Sequence, residues 1–316
     1  MADQQKFHRP CLVAVWPGMG QVALSAGYYL MAKLGMHQVA EFSTREFFDV
    51  EHVDVKNGII SMGRMPRSRL FAWRDPKGEH DIMVFLGEAQ PAHGKYGFCR
   101  QLLDGVQQQF GVERVFTFAA MATQMHPEHD SRIFVAATNP SALAEFQNRA
   151  VEVLEEGQIG GLNGVLLGFA AERGLDGTCL LGEMPQIFAQ VPFPKASLAV
   201  LRVFAELAKI DLDLTELSEQ ATLVEKSLGE LLAKVAEVIQ RKKGGETEEE
   251  EEEETIIPPP AEEPRLRPED EALIERLFVE AKKDRSKAYE LKNELDRLGV
   301  FRDFEDRFLD LFKSPE

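Results

Sequence analysis

The chain lacks the features that mark exported, membrane-spanning and disulfide-bonded proteins. Its 316 residues include only three cysteines, Cys11, Cys99 and Cys179, which lie far apart and form no C-x-x-C pair. No segment reaches the roughly 18 consecutive apolar residues that a transmembrane helix needs, and the opening stretch MADQQKFHRP has no apolar signal core. We therefore expect a cytoplasmic protein with no membrane contact, no structural disulfide and no zinc.

A basic surface is also lacking. The formal net charge is −17, and residues 244–264 alone carry ten Glu with no Lys or Arg. Without those ten carboxylates the charge is −7. Binding to nucleic acid needs a basic footprint, so we expect no nucleic-acid partner. The Glu run repels itself and three prolines follow it, which predicts an extended, disordered spacer between two folded parts.

The short motifs of common catalytic sites are missing as well. The sequence has no G-x-S-x-G nucleophile elbow, no G-x-x-x-x-G-K-[ST] phosphate loop and no cysteine with an evident base partner. We therefore assign no catalytic residue, no cofactor and no metal. The balance is against an enzyme, although composition and spacing alone leave the question open.

What is present is an alternation of strand-like and helix-like segments before residue 243. The strand candidates are 11–16, 38–42, 69–73, 81–87, 114–119, 132–138 and 177–182, and the helix candidates are 21–34, 97–110, 141–155, 163–173, 195–209 and 214–242. Short apolar strands separated by helices predict a sheet buried on both faces, in a three-layer α/β, Rossmann-like domain. The 58–74 region has no helix between its strand-like pieces, so the sheet should be mixed and mostly parallel.

Residues 265–316 predict a separate α-helical module of three amphipathic helices. Pro268 opens the first helix, Ser286 is the candidate N-cap of the second, Gly299 ends it, and Asp303 is a candidate cap of the third. The chain is thus divided into an α/β domain (1–243), an acidic Glu/Pro-rich linker (244–264) and a C-terminal module (265–316).

The last helix of that module carries an aromatic stripe, which we call the phenylalanine stripe. It consists of Phe301, Phe304, Phe308 and Phe312. The stripe has two interpretations: a small core shared with the other two helices, or a docking surface. About fifty residues without disulfide or metal bury too little area to be robust alone, which favours docking on the main domain, a neighbouring subunit or a client helix.

A glycine turn follows the first strand and resembles a nucleotide-binding fingerprint. Gly18, Gly20 and Ala23 fit the spacing G-x-G-x-x-G/A, and Glu41 ends the next apolar run, where a ribose hydroxyl would be held. The pattern alone is weak, because any tight strand-to-helix turn favours small residues. An anion held by free helix-start amides is a further alternative.

Two other segments are candidates for binding. Gly160, Gly161 and Gly164 enter a helix and form either an amide nest for an anion or a close packing contact, which we favour. His126, His129 and Asp130 are spaced like metal ligands, but they lie in a loop where polar residues are simply solvated, and we assign no metal to them.

Several stretches together resemble the proteasome assembly chaperone 2 family. The matching pieces include WPGMGQVALSAGYYLMAKLG (16–35), RLFAW (69–73), FLGEAQP (85–91), GVERVFTFAAMAT (111–123), RIFVAATNPS (132–141) and GQIGGLNGVLLGFAAERGLDGTCLLGEMP (157–185). The resemblance implies a Rossmann-like domain of the phosphorylase/hydrolase-like architecture that forms homo-oligomers, with PGMG as a turn that has no established cofactor. Bacterial relatives are often labelled ATP-grasp or carboxylate–amine ligases, but this chain has none of the nucleotide motifs that such a label needs.

The expected function is therefore a non-catalytic, assembly-chaperone-like interaction with a protein client that the sequence does not identify. The alternative is a ligase- or hydrolase-like enzyme, with a small-molecule or nucleotide site at the strand C-termini formed by Gly18, Gly20, Glu88 and Gln90 together with the 160–161 turn. An exposed apolar patch would favour the first expectation, and buried convergent polar groups would favour the second.

Overall fold

The computed structural model describes residues 6–49, 53–243 and 266–313. These residues contain ten strands. They are β1 (Cys11–Val15), β2 (His37–Phe42), β3 (Val53–Lys56), β4 (Ile59–Met62), β5 (Ser68–Trp73), β6 (Ile82–Gly87), β7 (Arg114–Thr123), β8 (Ile133–Ala137), β9 (Glu152–Val153) and β10 (Asp176–Pro185). Strands β3 and β4 form a separate hairpin, and the other eight form one sheet in the order β2-β5-β6-β1-β7-β10-β8-β9.

The centre of the sheet is parallel and its flanks are mixed. β6, β1, β7 and β10 run in one direction, whereas β5 is antiparallel to both β2 and β6, and β8 is antiparallel to β10. β1 and β6 are buried along their whole length, as expected for strands covered by helices on both faces. The predicted mixed, mostly parallel α/β sheet is confirmed.

Nine α-helices are described alongside the sheet. They are α1 (Val22–Lys33), α2 (Lys95–Phe110), α3 (Pro140–Ala144), α4 (Gly161–Glu172), α5 (Pro194–Leu207), α6 (Thr215–Lys243), α7 (Pro268–Lys283), α8 (Ala288–Arg297) and α9 (Phe301–Asp310). Helices α2 and α4 pack together on one face of the sheet, and α1 and α5 pack on the other. The sheet is therefore the middle of three layers.

Helices α7–α9, the described part of the C-terminal module, join the core on the α1 face. Phe312 meets Phe71 of β5 with ring centroids 6.0 Å apart, and the Phe312 carbonyl accepts a 2.7 Å hydrogen bond from the Gln38 amide of β2. Tyr289 of α8 stacks edge-on against Tyr29 of α1 at 4.5 Å. The module thus covers the part of the sheet beside α1, and its apolar residues belong to the same buried cluster as α1 and α5.

Several predicted boundaries are wrong. The predicted helix 141–155 ends at Ala144, because Asn148 adopts a left-handed conformation and Glu152–Val153 form β9 beside β8. Ser286 is not an N-cap: it lies in a 3₁₀ turn and donates to Asp284, whose side chain caps that turn. Asp303 lies inside the first turn of α9 and caps nothing.

Two other predicted helix termini are confirmed. Pro268 occupies the first turn of α7, and Gly299 follows the end of α8 with φ of +72°, the left-handed geometry that favours glycine. The predicted linker 244–264 lies outside the described residues. The division of the chain into three parts stays a prediction.

Candidate functional site

The candidate site lies at one edge of the sheet, which we call the carboxyl edge. β1, β6, β7 and β10 are parallel and all end there, so the loops that follow these strands share one surface. The turn after β1 contains Gly18 and Gly20, and the loop after β6 contains Glu88 and Gln90. In open α/β sheets, this is where ligands usually bind.

The glycine turn itself is held by hydrogen bonds within the chain. Gly20 has φ of +59°, and a Cβ built on it would lie 2.7 Å from the sulfur of Met184. Its amide donates to the Ala189 carbonyl at 2.8 Å, and its carbonyl accepts from the Phe193 amide at 2.9 Å. Gly20 is therefore required by the fold. Gly18, by contrast, is extended and exposed, and a Cβ there would meet nothing within 4 Å.

Gln90 connects the two glycine-rich turns. Its side-chain amide donates to the Pro17 carbonyl at 2.8 Å, and its Oε1 accepts from the Leu162 amide at 2.9 Å. Leu162 lies in the first turn of α4, so Gln90 satisfies one of the free amides of that helix. Gly161 has φ of +68°, and a Cβ there would come within 2.6 Å of Gln90 Oε1. Of the two interpretations of this turn, the amide nest is thus partly filled by the chain itself.

Glu88 belongs to a partly buried ion-pair cluster that ties the C-terminal module to the carboxyl edge. Its Oε1 accepts from Arg64 at 2.6 Å and lies 3.1 Å from the Arg69 guanidinium, whose side chain is only 2% exposed. Arg69 also donates to Asp306 of α9 at 2.7 Å. Such charge-assisted pairs are short and directional. The cluster therefore fixes the middle of α9 over the strand ends.

Two adjacent carboxylates of α9 have opposite pKa shifts. Burial, followed by the nearby charge of Glu88, raises the pKa of Glu305, although Arg64 and a hydrogen bond from Tyr28 act in the other direction. Burial would also raise the pKa of Asp306, but the hydrogen bond from Arg69 and the surrounding arginines hold it below its ordinary value. Glu305 is thus poorly compensated, whereas Asp306 is well paired.

A cleft of about 560 Å³ lies between the glycine turn and the C-terminal module. Gly18, Gly20 and Glu88 line its main-domain wall. On the module side, Lys292 pairs with Asp296 and places its ammonium 4.5 Å from the ring centroid of Phe301. The cleft therefore combines an exposed glycine with buried charged groups.

Two groups of candidate binding residues from the sequence lie away from this cleft. The dinucleotide interpretation would place Glu41 beside the glycine turn, but β2 is separated from β1 by β5 and β6, so that arrangement is not formed. His129 and Asp130 are exposed in the loop after β7, and His126 faces Glu128 at 3.7 Å. Within the described ranges, no group of three or more potential metal ligands is found.

The phenylalanine stripe is largely covered by the chain's own side chains. Phe308 and Phe312 are fully buried, and Phe301 and Phe308 both pack edge-on against Tyr28 of α1 at 5.5 and 5.7 Å. Phe304 instead meets Phe278 of α7. A role of these residues toward another protein stays a prediction.

Sequence reasoning missed the most exposed apolar surface. Most large apolar side chains that the described residues leave exposed lie at or beyond the carboxyl edge. They are Met19, Val53, Val55, Ile59, Ile60, Met62, Tyr96, Ile187, Val191, Leu231 and Val235. The sequence does contain the turn of a β-hairpin, because Asn57-Gly58 is a dipeptide typical of two-residue turns. Exposed apolar side chains gathered at one end of a molecule are typical of interaction sites.

The fold and this edge define an α/β protein whose strand ends are partly closed by a C-terminal helical module. Residues 12–232 match the PAC2 family. The chain belongs to that family, which confirms the resemblance seen in the sequence. None of the described helices is both long enough and apolar enough to cross a bilayer.

Known proteins are similar to this chain over most of their length. An archaeal proteasome activator from Pyrococcus furiosus, PbaB, is 26% identical with a TM-score of 0.60, and the match covers 74% of this chain and 96% of PbaB. A proteasome-assembly chaperone homologue from Mycobacterium tuberculosis is 19% identical with a TM-score of 0.60, over 70% and 94% of the two chains. An uncharacterised protein of Methanocaldococcus jannaschii is 24% identical over 72% of this chain and 85% of its own length.

Proposed function

We propose that this chain is a non-catalytic, assembly-chaperone-like protein that binds a client protein at the carboxyl edge and associates with further copies of itself in the cytoplasm. The observation that carries the proposal is the concentration of exposed apolar side chains at that edge. Membership of the PAC2 family supports it, as does the similarity to a proteasome activator and a proteasome-assembly chaperone homologue. The three cysteines are all free and buried, which is consistent with a reducing compartment.

Ile187 gives a direct test of the client surface. It lies in the turn after β10 with 67% of its surface exposed, so its substitution should leave the core intact. We expect an N-terminally tagged chain to capture a protein from its native host in a fixed ratio, and Ile187→Glu to lose it. Val279→Glu is the matched control, because Val279 is 53% exposed on α7.

Equal capture by the wild type and by Ile187→Glu would contradict a client surface at this edge. Capture of nothing above background by the wild type would contradict the proposal as a whole. Recovery of proteasome subunits would indicate that this chain, like the archaeal proteasome activator PbaB, acts on the proteasome.

The cleft favours a second candidate function, binding of a small polar molecule. Its buried charges and the exposed Gly18 are the features that a ligand site needs. We still expect neither NAD nor ATP to bind, because the Gly20 amide is already hydrogen-bonded and no phosphate-loop lysine is present. A ligand at 100 times its dissociation constant adds ~2.7 kcal/mol of stability, so a concentration-dependent rise in melting temperature with either nucleotide would refute this expectation.

A further inference from the structure

A second cavity, of about 200 Å³, lies at the edge of the sheet opposite the carboxyl edge. The parallel strands β1, β7 and β10 begin there, and their register sets Cys11, Arg114 and Asp176 side by side. Because side chains alternate along each strand, neighbours in one register lie on the same face of the sheet. All three residues line this cavity, which we call the amino-edge cavity.

Arg114 is held in place at the floor of the amino-edge cavity. Its guanidinium lies over the ring of Phe116, 4.6 Å from the ring centroid, and its Nη1 donates to Glu145 at 2.8 Å. Only 23% of its side chain is exposed. The ring contact and the ion pair together fix the plane of the guanidinium, so the direction of its other donors is also fixed.

One edge of that guanidinium has no acceptor. Nε and Nη2 of Arg114 are both buried, and neither makes a hydrogen bond among the described residues. Buried donors in native proteins are almost always paired with protein, water or a ligand. Nε and Nη2 share one edge of the planar group, and this edge matches the two oxygens of a carboxylate. The cavity therefore presents a preformed donor pair for a carboxylate.

The other charges of the cavity exclude a simple anion as the best ligand. Two arginines and three carboxylates line it, which are Arg9, Arg114, Glu113, Glu145 and Asp176. Asp176 accepts a 2.8 Å hydrogen bond from the Asn139 side chain, whereas the Glu113 carboxylate makes no ion pair or hydrogen bond with the described residues. A simple anion would add to this excess of negative charge, and a ligand that also carries a positive group would offset it.

We infer that the amino-edge cavity binds a free amino acid, with its carboxylate on the Nε–Nη2 edge of Arg114 and its ammonium toward Glu113 and Asp176. Such a zwitterion supplies the acceptor that Arg114 lacks and the cation that Glu113 lacks, and it adds no net charge. The site lies away from the carboxyl edge, so the inference does not rest on the proposed function.

The shape of the cavity agrees with this ligand. Its volume of about 200 Å³ is below the roughly 300–1,000 Å³ of pockets that hold drug-sized molecules, which suits a single amino acid. Leu207 and Ala208, at the end of α5, also line the cavity. The C-terminus of a helix carries a partial negative charge, which favours an ammonium group nearby.

The first test is thermal unfolding of the full chain with each standard free amino acid, and with acetate and methylammonium as the separate halves of the ligand. We expect at least one amino acid to raise the melting temperature in a concentration-dependent way, because a ligand that binds only the folded state stabilises it. Acetate and methylammonium should each give a much smaller rise at the same concentration, because each makes only part of the contacts.

Calorimetric titration of two conservative variants with that amino acid locates the site. Arg114→Lys keeps a positive charge beside Glu145 but loses the two-donor edge, so the affinity should fall about tenfold or more. Arg173→Lys is the matched control and should bind like the wild type. Arg173 also pairs with a carboxylate, that of Asp104, and lies 4.5 Å from the ring centroid of Phe169, but it does not line the cavity.

Glu113→Gln tests the ammonium end of the site. Glu113 is exposed and its carboxylate is unpaired among the described residues, so this substitution should leave the fold intact. It should weaken the binding of the amino acid and leave the weak effect of acetate unchanged, because only the amino acid carries an ammonium group.

Four results would overturn the inference. They are no rise in melting temperature with any amino acid, a rise with acetate equal to that with the amino acid, equal affinities of Arg114→Lys and Arg173→Lys, and an unchanged affinity of Glu113→Gln. The last result is decisive even where Arg114→Lys does not fold. None of the four bears on client capture through Ile187, because that residue lies at the other edge of the sheet.

Discussion

The phenylalanine stripe is an apolar surface that the chain buries, whereas one side of the β3–β4 hairpin is an apolar surface that the described residues leave exposed. Val53, Val55, Ile60 and Met62 share that side, which we call the hairpin face. Phe308 and Phe312 of the stripe are fully buried against α1 and β5, while Ile60 of the hairpin face is 70% exposed. The helical stripe was visible in the sequence and the hairpin face was not. An amphipathic pattern shows that a surface will be covered, whereas only the tertiary structure shows whether the same chain covers it.

The largest expected difference between the two surfaces is in unfolding free energy. Phe308→Ala removes a fully buried ring that touches Tyr28, Phe301 and Phe312, and it should cost about 3–5 kcal/mol. Ile60→Ala should change stability by less than about 0.5 kcal/mol in dilute solution, where the hairpin face is uncovered. Denaturant unfolding measures both. Similar losses of unfolding free energy in the two variants would show that the two surfaces are equally buried.

A smaller difference in unfolding free energy is expected between substitutions of Glu305 and Asp306, the two adjacent carboxylates of α9. Asp306→Asn loses charge-assisted hydrogen bonds to the buried Arg69, which should cost about 1–2 kcal/mol, a figure reduced because Asp306 is 41% exposed. Glu305→Gln removes a poorly compensated charge and should change stability by less than about 0.5 kcal/mol. Denaturant unfolding of the two variants is a matched comparison at neighbouring positions. A larger loss for Glu305→Gln would show that the cluster is assigned wrongly.

The smallest expected effect is a pH dependence confined to the module. Glu305 is faced by Tyr28, Glu88, Arg64 and Arg69, and its folded pKa is raised. A raised carboxyl pKa means that ionisation costs stability, and that this cost is relieved as pH falls from 7 through the raised pKa toward the ordinary value of 4.5.

The wild type should therefore gain stability relative to Glu305→Gln as the pH falls from 7 to 5. Asp306 has the opposite sign, because its lowered pKa gives stability that is lost as pH falls below 3.8. Thermal unfolding across this range measures the difference between wild type and variant.

Much of the α/β domain could be predicted because its signals are local. Apolar runs located β1, β6 and the other strands of the parallel centre, and Pro268 and Gly299 marked helix ends. The prediction of one helix over 141–155 was wrong because Asn148 adopts a left-handed conformation and the residues after it pair with β8. The pairing is a tertiary contact that helical periodicity does not show. The hairpin was missed because its strands have only four residues each and, among the described residues, pair with no other strand.

The candidate site could be predicted in position but not in detail. The ends of parallel strands share an edge, so Gly18, Gly20, Glu88 and Gln90 were expected together. The partners of these residues were not predictable, because Arg69 and Asp306 lie 237 positions apart in the chain. Likewise, nothing in the sequence around Gln90 shows that its side chain joins two turns separated by more than 100 residues.

Hydrogen–deuterium exchange of the full chain in dilute solution tests the central comparison most directly. The account predicts slow exchange for the amides of 301–312, because the chain itself covers the phenylalanine stripe. Amides of 53–62 should exchange much faster, because the hairpin face is exposed and segments with few buried apolar contacts open readily. Faster exchange over 301–312 than over 53–62 would contradict the account.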